Sequence, residues 1–193
     1  MFDMLYLDHA ATTPIDPDIL VGLQSRYQTD FANPSSKHAL GRRARRELED
    51  ARQRIASVIG APSDQLLFTG GGTEALSIAV LGSAGDQPGR IAISAVEHAA
   101  ISESAYWLEE RFGWQVDVLP VNALGQVEPE AVAQAVTHET RIVSVMLVNN
   151  EVGAINDLSA IAAIVRAQAP RAKIIVDAVQ AFAKMPINVS ELD

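Results

Sequence analysis

Arg141-Ile142-Val143-Ser144-Val145-Met146-Leu147-Val148 runs straight into Asn149-Asn150-Glu151. An apolar run of this length, rich in β-branched residues and without polar alternation, reads as a strand covered on both faces, as in a parallel sheet. The abrupt change to three polar residues marks its carboxyl end. The same signature recurs on either side. Residues 90–96 lead into Glu97-His98, residues 173–179 carry Asp177 behind Ile174-Ile175-Val176 and meet Gln180, and residues 66–69 open into Gly70-Gly71-Gly72-Thr73-Glu74. A fifth strand is expected over 115–121, followed by Asn122 in what looks like an ordinary turn. Between these runs lie Ala-rich stretches of helical period, predicting helices over 18–28, 41–59, 73–83, 99–112, 128–136 and 157–169. The alternation predicts an α/β fold with a mostly parallel sheet and flanking helices.

The helix over 41–59 is the clearest. Ala44, Leu48, Ala51, Ile55 and Val58 recur at steps of four and three and fall on one stripe. Arg46, Asp50 and Arg54 are spaced to pair on the opposite face. The basic run Arg42, Arg43, Arg45, Arg46 reads as a solvated helix face. Residues 82–89 read as an exposed connection. Thr12-Thr13-Pro14 and Asn33-Pro34-Ser35-Ser36 are loop chemistry, so the first forty residues are expected to lie as an arm over the sheet.

In an open α/β sheet, ligands bind outside the carboxyl ends of the strands. Four of the five expected strands deliver polar groups there. The glycine run opens a helix, where bare N–H groups and the positive end of the dipole face an anion. A tight turn needing glycine explains the run equally well. Neither the G-x-G-x-x-G spacing nor a Gly-Lys-Ser/Thr follows the strand, which leaves a mononucleotide or another phosphorylated cofactor. Taken singly, His98 reads as well as a structural histidine, Asp177 as a helix cap, and Asn149 and Asn150 as loop residues. Their convergence on one edge is what points to a site.

The chain has 193 residues, net charge -9 and no cysteine. Thiolate metal sites, disulfides and cysteine nucleophiles are therefore excluded, and no metal site is expected. The acidic balance argues against nucleic acid as a partner, since phosphate backbones require a positive field. The apolar runs are too short to span a membrane, and Met1-Phe2-Asp3 is no basic signal-peptide start, so a cytoplasmic setting is expected.

The motifs Tyr6-Leu7-Asp8-His9-Ala10-Ala11-Thr12-Thr13-Pro14, Asn33-Pro34-Ser35-Ser36-Lys37-His38, Phe68-Thr69-Gly70-Gly71-Gly72-Thr73-Glu74, Val96-Glu97-His98, Asn149-Asn150-Glu151-Val152-Gly153 and Asp177-Ala178-Val179-Gln180 have the order and spacing of cysteine desulfurases. From about residue 5 to its end the chain resembles the N-terminal half of that group of class V aminotransferase-like enzymes, which use pyridoxal 5'-phosphate (PLP). The resemblance implies a large-domain fold of the PLP-transferase type, truncated, with residues 1–15 as an arm belonging to the small domain and 16–193 as a partial PLP-binding large domain. It also implies roles for named residues. Gly72 and Thr73 would hold the cofactor phosphate, and His98 would stack on the ring and relay protons. Asp177 would pair with the ring nitrogen, and Gln180 would bond the ring hydroxyl. Asn150 would reach that hydroxyl or the substrate carboxylate. The complete enzyme would take L-cysteine, leave L-alanine with the sulfur as an enzyme persulfide, and work as a homodimer that passes sulfur to an acceptor or scaffold protein for iron–sulfur clusters or thio-cofactors.

Several departures accompany the resemblance. The family's Schiff-base lysine belongs to a Ser-x-His-Lys motif expected beyond Asp193, and Lys37, Lys173 and Lys184 stand in no such motif. The family's cysteine and carboxylate-binding arginine come later still. Ala75-Leu76-Ser77 replaces a more polar trio after Thr73-Glu74. Two strands of the family sheet, lying between the first and fifth strands named above, also belong to the later sequence, so 66–69 is expected to lack neighbours and the last strand to show an open edge. Two other readings compete: a non-catalytic PLP-binding or assembly module, one half of a split enzyme, and a selenocysteine lyase-like activity.

Overall fold

The computed structural model describes residues 5–191; residues 1–4 and 192–193, the outer ends of the expected arm and large domain, lie outside the described residues. The chain divides into two compact units, Met1–Leu67 and Phe68–Asp193.

The first unit holds α1 (Pro17–Thr29), α2 (Ala39–Val58) and a single 3-10 turn at Ser63–Gln65. Asp16 caps α1 by accepting the Asp18 amide at 2.9 Å, and Pro17 occupies the first turn, where its missing N–H costs nothing. His38 Nδ1 accepts the Gly41 amide at 3.2 Å and starts α2. Gly41 is buried against the Ser36 carbonyl, leaving no room for a Cβ. The expected stripe on α2 holds through Ile55 but not at Val58, which is exposed. The amides of Ile59 and Ala61 both fold back onto the Ala56 carbonyl, so the chain reversal covers Ala56 instead. The expected Arg46–Asp50 and Asp50–Arg54 pairs are absent among the described residues. Glu49 takes Arg45 at 3.5 Å and Arg52 at 3.1 Å, Glu47 takes Arg26 at 2.6 Å, and Asp30 takes Arg43 at 2.7 Å.

The second unit is a three-layer α/β arrangement. Strands β1 (Arg90–Ser94), β2 (Gln115–Leu119), β3 (Thr140–Ser144) and β4 (Lys173–Ile175) form one parallel sheet in the order β2-β1-β3-β4. Helices α3 (Gly72–Ser83), α4 (Ala99–Phe112), α5 (Pro129–Ala135) and α6 (Leu158–Gln168) cover its faces. Successive residues alternate between two cores: Ile91, Ile93, Ile142 and Ile175 pack with Leu76 and Val80 of α3 and Ile101 and Leu108 of α4. Ala92, Val143 and Leu119 pack with Val132 of α5 and Ile161 and Val165 of α6. Both faces are thus covered, as the continuous apolar runs require.

Residues 66–69 form no strand among the described residues. The Leu66 amide donates to Ser63, its carbonyl accepts from the Arg52 guanidinium, and Leu67 is 70% exposed. A strand exists only through a ladder partner, and none lies alongside. Burying an isoleucine is worth roughly 1.5–3 kcal/mol against about 1 kcal/mol net for a hydrogen bond. The two apolar layers, rather than additional ladder bonds, therefore decide that four strands hold together.

Candidate cofactor site

The sheet delivers the expected polar residues to its carboxyl edge. α4 begins immediately after His98, whose Nδ1 accepts the Ala100 amide at 3.1 Å. That bond makes His98 the helix cap and places the proton of its neutral ring on Nε2. His98 is exposed toward a cleft of about 940 Å³, lined also by Glu97, Asn122, Leu124, Asn149 and Asn150. Asn149 is buried and its side chain joins two strand ends: Nδ2 donates to the Val96 carbonyl at 3.1 Å, while Oδ1 accepts the amides of Glu151 and Val152, both at 2.9 Å. Asn150 is carried into the cleft wall by this turn and is half-buried. The turn after β2 has ordinary chemistry, with Asn122 Oδ1 accepting Leu124 at 2.9 Å, yet it forms the opposite wall.

A second group sits by the glycine loop. α3 starts at Gly72 with no side-chain cap, and the Glu74 carboxylate folds back onto the Gly70 amide. Gly72 and Thr73 are exposed. A Cβ on Gly72 would lie 2.9 Å from Cγ2 of Val179, so this loop runs against the segment that carries Asp177 and Gln180. Asp177 is 4% exposed. Its Oδ1 accepts the Val179 amide at 2.9 Å, and Oδ2 accepts no hydrogen bond from the described residues. Beyond Asp177 the chain makes a series of turns over 178–185 rather than an α-helix, so the cap role reduces to an Asx-turn. The Gln180 Oε1 accepts from Lys184 Nζ at 2.8 Å. Gly72, Thr73, Asp177 and Gln180 do not line the cleft that holds His98 and Asn150; residues 145–147 lie between the two groups.

Two residues were given no role of their own from sequence. Asn156 is buried and donates from Nδ2 to the Met146 carbonyl at 2.7 Å while its Oδ1 accepts the Val127 amide at 2.8 Å. Glu97, visible only as the residue before His98, accepts the Met146 amide at 2.7 Å and the Ser144 hydroxyl at 3.3 Å. Its carboxyl is pushed up to about 7, chiefly by desolvation and further by the Asp177 charge, against the lowering effect of the Met146 amide and the Ser144 hydroxyl.

The residues fit a phosphorylated pyridine. Asp177 Oδ2 takes no donor from the described residues and is not sealed from solvent, which leaves an acceptor open to a ring N–H. An uncapped helix N-terminus suits a phosphate.

The fold is of the PLP-transferase large-domain type, and the chain belongs to the aminotransferase class-V family, whose pattern it matches over residues 5–193. Among curated proteins it is similar to a cysteine desulfurase IscS from Dictyoglomus turgidum, at 38% identity over 97% of this chain and 48% of that protein. Among solved structures it is similar to a NifS-like protein, with a TM-score of 0.92 and 31% identity over 98% of this chain and 52% of the other. It is also similar to SspA in complex with cysteine, with a TM-score of 0.90 and 28% identity over 98% of this chain and 55% of the other. The chain spans about half the length of the curated relatives it matches.

Proposed function

We propose that this chain is the cofactor-gripping part of a PLP-dependent cysteine desulfurase. The observation that carries the proposal is Asp177, 4% exposed and with Oδ2 open to an incoming donor, on a segment that runs against the uncapped start of α3. Gly72 and Thr73 hold the phosphate. Asp177 keeps the ring nitrogen protonated, Gln180 meets the ring hydroxyl, and Asn150 meets that hydroxyl or the substrate carboxylate. His98 stacks on the ring and passes protons through Nε2, its Nδ1 being committed to Ala100. When bound, PLP supplies the electron sink for charge that develops on the substrate. The substrate is L-cysteine, and the sulfur leaves on a thiol for an acceptor or scaffold protein in iron–sulfur or thio-cofactor synthesis. The whole protein works as a cytoplasmic homodimer, with residues 1–15 in its small domain.

The first test is direct titration of the purified chain with PLP and with pyridoxal, which lacks the phosphate. One equivalent of PLP should bind saturably, and pyridoxal about tenfold more weakly or worse, since charge-assisted bonds to an anion are worth roughly 1.5–3 kcal/mol. Equal affinities would remove the phosphate site at Gly72 and Thr73, and no saturable binding would remove the proposal.

A further inference from the structure

β3 leaves the regular ladder at Ser144, but the chain stays beside β4 as far as Leu147, where it bends. Amides along a strand alternate in direction. Val145 donates to the Ile175 carbonyl at 3.2 Å and Leu147 to the Asp177 carbonyl at 2.9 Å, both on the β4 side. The Met146 amide between them therefore points toward β1. There β1 has already ended: the Ala95 amide turns to Leu119 on the β2 side, and the Glu97 amide turns back to Ser94. No strand carbonyl accepts the Met146 amide, and the Glu97 carboxylate takes it at 2.7 Å.

We propose that Glu97 is a positioning residue: its side chain stands in for the missing strand carbonyl opposite Met146 and so fixes the distance between His98, the next residue, and Asp177, bonded through Leu147. The proposal rests on the reading of this edge as a PLP site. Neighbouring bonds lock the same segment, with Asn156 holding the Met146 carbonyl at 2.7 Å and Asn149 holding the Val96 carbonyl at 3.1 Å. The charged and titratable groups around Glu97 are Asp177 from the β4 side and His98 and Glu151 in the cleft. Its acceptor role and its charge are separable. Glu97→Gln keeps an oxygen for the Met146 amide and drops the charge, whereas Glu97→Ala removes both, and Glu97→Asp keeps the charge on a stem one carbon too short.

The purified chain should be compared with these variants by hydrogen exchange at the Met146 amide without ligand, and by PLP titration as a function of pH. Exchange should quicken about tenfold or more in Glu97→Ala and Glu97→Asp, the effect of orphaning a buried amide, and stay within about threefold of wild type in Glu97→Gln. PLP affinity should follow the same order, with Glu97→Gln rescuing it while flattening its dependence on pH around neutrality. Unchanged exchange in whichever of the Ala and Asp variants folds, or Gln as fast as that variant, would overturn the proposal. Expected exchange without PLP binding by the wild type would instead leave the strand splice standing and remove the cofactor reading.

Discussion

Glu97 shows how one carboxyl links the site to stability. Its folded value of about 7 stands above the ordinary 4.5, so the folded state holds a proton that the unfolded chain gives up first. As pH rises from the lower value to the higher, stability falls, by on the order of 3 kcal/mol for a gap of this size. Glu97→Gln cannot titrate. Denaturation curves at several pH values should therefore show the variant gaining on wild type by a few kcal/mol between about pH 4.5 and 8; parallel curves would mean that the carboxyl titrates normally. At this scale the placement of His98 and Asp177 at the carboxyl edge of the sheet was legible from sequence, because a polar residue closing an apolar run is conspicuous. The use of His98 Nδ1 as a helix cap was not, since it depends on where α4 begins. Nor was Glu97's partner, a backbone amide 49 residues away.

Among the elements, the four paired strands were legible by centre but not by end. Strands were expected over 90–96, 115–121, 141–148 and 173–179, yet regular pairing stops two to four residues before those ends, at Ser94, Leu119, Ser144 and Ile175. Beyond those points side chains take over from backbone: Asn149 and Asn156 hold carbonyls that a longer strand would have paired. Asn156 drew no reading from the sequence, because nothing in local spacing reveals partners ten and 29 residues back. Replacing it with Ala leaves a buried carbonyl and a buried amide unpaired, each worth about 1–3 kcal/mol. Asn156→Ala should lower the urea unfolding free energy by roughly 2 kcal/mol or more, and a loss below about 0.5 kcal/mol would show that water replaces the clamp. The segment 66–69 failed as a strand for a non-local reason: its composition is that of a strand, and a partner is what it lacks.

At the scale of the molecule, chemistry and binding separate. The proposed binding groups lie at the sheet's carboxyl edge in two clusters, 70–73 with 177–180 and 97–98 with 149–150, while the chain holds no thiol to receive sulfur. Purified by itself and supplied with PLP and cysteine, it should release no sulfide or alanine above the background of free PLP; turnover above that background would place sulfur transfer on another group. The class of fold was legible because periodicity is a property of long segments, and the motifs gave the family. Charge placement was not legible, because it depends on which carboxylates the sheet buries together. The central claim is that Asp177 holds a protonated pyridine nitrogen, and the most direct measurement is the nitrogen NMR shift of ring-labelled PLP bound to the chain and to Asp177→Asn. Asn retains an oxygen for the Val179 amide, so the turn survives. A pyridinium shift in wild type and a neutral-ring shift in Asp177→Asn at the same pH is the predicted result; the same shift in both would contradict it.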